Sequence, residues 1–123
     1  MEFDDLSNRV IGCAIEVHRH LGPGLLESAY QQCLAYELNR HGIAFHLQHP
    51  QPVQYKDIRL DCGYRMDILV ENQLIVELKS VEEIQGIHEA QLLTYMKLAG
   101  VKTGLLINFN NKILKDGIRR FVL

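Results

Sequence analysis

Met66, Ile68 and Val70 alternate with Arg65, Asp67 and Leu69, a period of two. Leu74 to Leu78 follows as an apolar run broken only by Glu77. Both segments read as strands around a polar turn. With Glu71, Asn72 and Gln73 as the loop, Val70 pairs with Leu74, and the same register sets Asp67 opposite Glu77. Opposed residues of an antiparallel pair hold their Cβ atoms about 4.5–5.5 Å apart. Lys79 lies beyond Glu77 on the same face. A two-residue loop would turn Asp67 to the other face, because a slip of one residue inverts every side chain. The chemistry of this hairpin therefore depends on its register.

The other segments arrange themselves around it. From about Asp5 to Leu21, the positions Leu6, Val10, Cys13 or Ala14, Val17 and Leu21 make one helical stripe, opened by acids that suit a helix N-terminus. Gly22-Pro23-Gly24 stops it. A second helix is expected from Leu25 to Arg40, with Leu26, Ala29, Tyr30, Cys33, Leu34 and Leu38 on one side and Gly42 as its stop. Ile43 to His49 reads as a strand closed by Pro50-Gln51-Pro52. Val53, Tyr55, Ile58 and Leu60 read as two short strands around Lys56-Asp57. Ser80 to Gly86 is polar and acidic, a loop. Ile87 to Leu98 is a helix with Ile87, Ala90, Leu93 or Thr94 and Leu98 on its stripe, ended by Gly100. Val101 to Phe109 is too apolar for an exposed edge and is expected inside the sheet. Asn110-Asn111 and Asp116-Gly117 mark turns, and Ile118 to Leu123 is the last strand. Helices on both faces of a mixed sheet, an α/β three-layer sandwich, is the packing this order favours.

Composition narrows the classes. The 123 residues, 47% apolar, suit one domain with a single core. No apolar run is long enough to span a membrane, and the acidic start Met1-Glu2-Phe3-Asp4-Asp5 is unlike a signal peptide. Cys13, Cys33 and Cys62 lack metal spacing and are odd in number, which points to reduced, mostly buried thiols in a cytoplasmic protein and away from zinc. His18 and His20 do not share a helix face. The net charge of −2 argues mildly against constitutive nucleic-acid binding. It is uneven, however: Lys97, Lys102, Lys112, Lys115, Arg119 and Arg120 stand against Asp116 alone in the last stretch, while the rest is acidic. Such an end can face phosphate, or simply keep the protein dissolved.

Two acids forced together beside a lysine admit two readings. A divalent cation would compensate them, since hard ions such as Mg²⁺ take carboxylate and carbonyl oxygens. Lys79 would then offset charge building on a phosphate. Alternatively Arg65, diagonal to Glu77, and Lys79, diagonal to Asp67, would complete a surface salt-bridge lattice of little energetic weight. Glu27, in the first turn of its helix, complements the helix dipole. Gln91 and Tyr95 are one turn apart and project together.

Asp67 followed by Glu77-Leu78-Lys79 resembles the signature of the PD-(D/E)xK nuclease superfamily. Gly24-Leu25-Leu26-Glu27-Ser28-Ala29-Tyr30 matches the pattern for which the GxxExxY family within it is named. Ile11 to His18, Leu21 to Gly24, Ala90 to Tyr95 and Gly104 to Phe109 also look like that family's blocks, so the likeness covers nearly the whole chain. The proline of the signature is replaced by Met66, as in many members. The resemblance implies a restriction-endonuclease-like core forming a single domain over residues 1–123. Asp67, Glu77 and the Leu78 main-chain carbonyl would be ligands of Mg²⁺ or Mn²⁺, and Lys79 the catalytic lysine. Glu27 would reach the metal region from its helix as a further ligand. Gln91 and Tyr95 would position substrate. The expected activity is metal-dependent phosphodiester hydrolysis of DNA or RNA, in a chain that could pair as a homodimer. The rival expectation is a module that keeps the nuclease fold to bind nucleic acid or protein without catalysis.

Overall fold

A computed structural model describes residues 4–123; the acidic start invoked above therefore lies partly outside the described residues, at Met1 to Phe3. Among the described residues no helix is long and apolar enough to cross a membrane. In chain order come α1 (Asp5–Leu21), α2 (Glu27–Arg40), β1 (Phe45–Pro50), β2 (Val53–Tyr55), β3 (Ile58–Leu60), β4 (Arg65–Val70), β5 (Leu74–Lys79), α3 (Gly86–Ala99), β6 (Thr103–Asn108), a 3₁₀ turn (Leu114–Gly117) and β7 (Ile118–Val122). The main sheet runs β1-β4-β5-β6-β7, and β2 with β3 forms a separate two-stranded ribbon. Only β5 and β6 are parallel, joined by the crossover through α3; the other pairings are antiparallel. The sheet is mixed, and the fold is restriction-endonuclease-like.

Two cores sandwich that sheet. On one face Val10, Cys13, Ala14 and Val17 of α1 and Tyr30, Leu34 and Leu38 of α2 meet Ile68, Val70, Val76, Leu78 and Ile107. On the other, Leu92, Tyr95 and Met96 of α3 meet Met66, Leu69, Ile75 and Leu106. Strands β5 and β6 are buried on both faces, which is why their sequences are apolar runs rather than alternations. Gly104 lets α3 sit directly on β6: a Cβ there would lie 2.7 Å from Met96 Sδ and 3.0 Å from Leu92 Cδ1.

The hairpin register follows the three-residue loop, with Val70 opposite Leu74. Glu71 and Asn72 both adopt positive φ, 50° and 55°, and Gln73 N–H closes the turn onto Val70 O at 2.9 Å. That left-handed pair matches the twist of the flanking strands. Helix α2 begins at Glu27 rather than Leu25, and Leu26 is 76% exposed. The stripe expected for α3 is out of phase, because Ile87 is 72% exposed while Leu92, Tyr95 and Met96 are buried. Apolar residues surround that helix, so periodicity alone leaves its rotation undetermined. All three cysteines are free, but only Cys13 is buried and Cys62 is exposed. The basic end is partly neutralised: Arg119 pairs with Glu89 at 3.2 Å and Arg120 with Asp4 at 2.6 Å.

Candidate active site

Strands β4 and β5 pair through Ile68↔Val76, and there the ladder stops, although both strands continue. Beyond that point the side chains take over from the main chain. Asp67 N–H donates to Glu77 Oε2 at 2.7 Å, and Leu78 N–H donates to Asp67 Oδ2 at 2.8 Å. Each acid thus accepts a main-chain amide in the place a carbonyl would fill, and such charge-assisted bonds fix both carboxylates in orientation. The strand also turns about Asp67: Met66 packs on the α3 side, while Ile68 packs against α1 and α2.

Glu77 is only 4% exposed. Burial, then the charge of Asp67, pushes its carboxyl up to about 8, against the opposing pull of the Asp67 amide and Lys79; the charge of Glu27 adds to the rise. Among the described residues neither acid forms an ion pair, so the salt-bridge lattice does not form. Arg65 turns instead toward the Gln48 carbonyl, 3.5 Å away. Lys79 is half-buried and also without an ion-pair partner among the described residues. Its position is held from both sides. Lys79 O accepts from Phe109 N–H at 2.9 Å. The buried Asn108 amide then clasps both the N–H (3.1 Å) and the carbonyl (2.9 Å) of Val81.

Glu27 opens α2 and its Oε2 lies 3.4 Å from Ser80 N, while Ser80 Oγ donates to Leu25 O at 2.6 Å. The start of α2 is therefore tied to the residue that follows Lys79. Tyr30 anchors the same link from below. Its hydroxyl donates to Gly22 O at 2.6 Å and accepts from Leu25 N–H at 3.1 Å, and its ring stacks on Phe109 at 4.4 Å. Glu27, Ser28, Gln31, Gln48, Asp67 and Leu78 line a cleft of about 420 Å³. Glu77 is not among the residues that line it.

Gln91 and Tyr95 do meet, with Gln91 Nε2 donating to the Tyr95 hydroxyl at 3.2 Å. They line a separate groove of about 450 Å³ with Val53, Tyr64 and Ile87, and not the cleft of Glu27 and Asp67. Burial, then the charge of Glu77, raises the Tyr95 hydroxyl above its ordinary range. Gln31, Gln48, Ser80 and Asn108 escape a reading of the sequence, since nothing in their neighbours distinguishes them from ordinary helix, strand and turn residues.

Among the described residues no three His, Cys, Asp or Glu side chains stand close enough to enclose a metal. The donor set nonetheless suits a hard divalent ion. It comprises two carboxylates, each with one oxygen held by a main-chain amide, and among the described residues neither is taken up in an ion pair. A family profile described as the PD-(D/E)XK nuclease superfamily matches residues 4–121, and the chain belongs to that superfamily. Neither the curated proteins nor the solved structures returned a match.

Proposed function

We propose that this protein is a Mg²⁺- or Mn²⁺-dependent nuclease of the GxxExxY type, a single cytoplasmic domain that hydrolyses phosphodiester bonds of DNA or RNA. One observation carries the reading: Asp67 and Glu77 are cross-tied through each other's strand, with Glu77 buried and, among the described residues, neither acid in an ion pair. Asp67, Glu77 and the Leu78 carbonyl hold the ion, with Glu27 facing them from α2. When bound, a divalent ion there supplies Lewis acidity toward a phosphoryl oxygen and makes a water acidic enough to attack. Lys79 orients that water and offsets the negative charge that grows in the transition state. The Asn108 clasp on Val81 keeps the Lys79 backbone from drifting. Gln91 and Tyr95 hold substrate on the α3 side. A homodimer would give so small a core a second surface for a nucleic acid, which light scattering tests.

The test is incubation of purified protein with labelled single- and double-stranded DNA and RNA in Mg²⁺ and in Mn²⁺. Cleavage by the native protein that disappears in Lys79→Ala, with the circular dichroism spectrum unchanged, is the expected result. Full activity in Lys79→Ala refutes the assigned mechanism. A second reading, a non-catalytic module on the nuclease fold, draws on the pairing of Arg119 and Arg120 with acids, which leaves that end less able to grip phosphate. Binding of nucleic acid without cleavage in either metal would favour it.

A further inference from the structure

Gln48 is the one residue of β1 whose backbone does not suit a strand. Its φ is +50°, in the left-handed region that a side chain other than glycine, asparagine or aspartate seldom enters. The flanking pairs, Leu47↔Ile68 and His49↔Met66, keep their register, so Gln48 lies across from Asp67 with neither contributing a pair to the ladder. Backbone strain of this kind persists only where the surroundings impose it. From that turn the side chain reaches two neighbouring elements. Gln48 Nε2 donates to Gln31 Oε1 on α2 at 2.7 Å and lies 3.4 Å from Asp67 Oδ1. Asp67 Oδ2 is already bound to Leu78 N–H, so Oδ1 is the oxygen left for the cleft, and Gln48 is the group beside it.

We infer that Gln48, braced by Gln31, is a positioning residue that orients the free oxygen of Asp67 toward a divalent cation. The inference rests on the metal-site reading of Asp67 and Glu77. An amide suits this task for a chemical reason. It donates a hydrogen bond to the carboxylate without supplying a positive charge, so the negative charge remains available to the metal. A lysine or arginine in its place would compete with the ion. The groups that hold metal ligands in orientation commonly change affinity 10–100-fold when removed.

The backbone makes the test specific. Gln48→Gly keeps the left-handed turn without strain but removes the amide, whereas Gln48→Met keeps the length and the strain but also removes the amide. Mn²⁺ and Mg²⁺ titration by calorimetry is run on the native protein and both variants, with urea unfolding in EDTA alongside. Metal affinity is expected to fall about tenfold or more in both variants. The metal-free unfolding midpoint of Gln48→Gly is expected at or above that of Gln48→Met, so that the affinity loss does not track stability. Native affinity in either folded variant overturns the role of Gln48 while leaving the metal site standing. Absence of metal binding by the native protein overturns both.

Discussion

Replacing Glu77 with glutamine should make the metal-free protein more stable, although it removes a residue assigned to the active site. The Glu77 carboxyl is pushed from its ordinary 4.5 up to about 8 by burial and by the Asp67 charge. An acid raised in the folded state is ionised first in the unfolded chain. Its contribution to stability is therefore fully present below pH 4.5 and is lost as pH rises through about 8. At about 1.4 kcal/mol per pH unit, that interval sets a ceiling of about 5 kcal/mol, a large share of the roughly 5–15 kcal/mol that stabilises a typical domain. Glutamine keeps an oxygen for the Asp67 amide and carries no charge. Urea unfolding in EDTA, followed by circular dichroism at intervals from pH 5 to pH 9, measures the effect. The native protein should lose several kcal/mol relative to Glu77→Gln across that range, and the difference between the two cancels the histidine titrations common to both. Adding Mg²⁺ at pH 8 should restore the native protein and leave the variant unmoved. Parallel pH profiles for the two proteins would refute the claim that burial and the Asp67 charge hold the Glu77 carboxyl well above its ordinary range.

Three further outcomes follow from the same geometry. Lys79→Ala should lower metal-dependent cleavage on the order of 10²–10³-fold, the usual loss for one group that stabilises transition-state charge, with an unchanged urea midpoint; single-turnover assays on a labelled substrate measure it. Tyr30→Phe keeps the stack on Phe109 but leaves Leu25 N–H and Gly22 O without their partner. It should cost about 1–3 kcal/mol by urea unfolding and, through the loosened start of α2, open the Gly22–Glu27 link to hydrogen exchange. Gly104→Ala should destabilise by about 1–3 kcal/mol, because the new methyl meets Met96 and Leu92 at the α3–β6 contact; a thermal melt of the variant checks it.

Much of this architecture is legible in the residues. The hairpin register follows from the alternation through Val70 and the polar Glu71-Asn72-Gln73, and the interior position of β6 follows from its unbroken apolar run. Patterns of two and of 3.6 report which face a residue occupies, and they serve wherever one face is polar. They fail for α3, where Ile87, Leu93 and Leu98 compete with Leu92 and Met96 for the buried side. What the pattern reaches least well is the site itself. Leu47-Gln48-His49 looks like an ordinary alternating strand, yet Gln48 takes a left-handed turn, and its amide meets Gln31 on α2 and Asp67 on β4, neither of them near it in the chain. The exchange of main-chain for side-chain partners at Asp67 and Glu77, where the β4–β5 ladder ends, likewise leaves no mark in the alternation of residues. Asn108 falls within the apolar run read as an interior strand, where nothing marks out its amide, yet it is 1% exposed and fastens the loop beyond Lys79.

The most direct test is a crystal of the protein grown or soaked with Mn²⁺ and measured at the manganese absorption edge. An anomalous peak bounded by the carboxylates of Asp67 and Glu77 and the Leu78 carbonyl, absent from crystals of Asp67→Asn, is the result expected. A well-ordered cleft with no peak there, or with the ion bound elsewhere, would contradict the account.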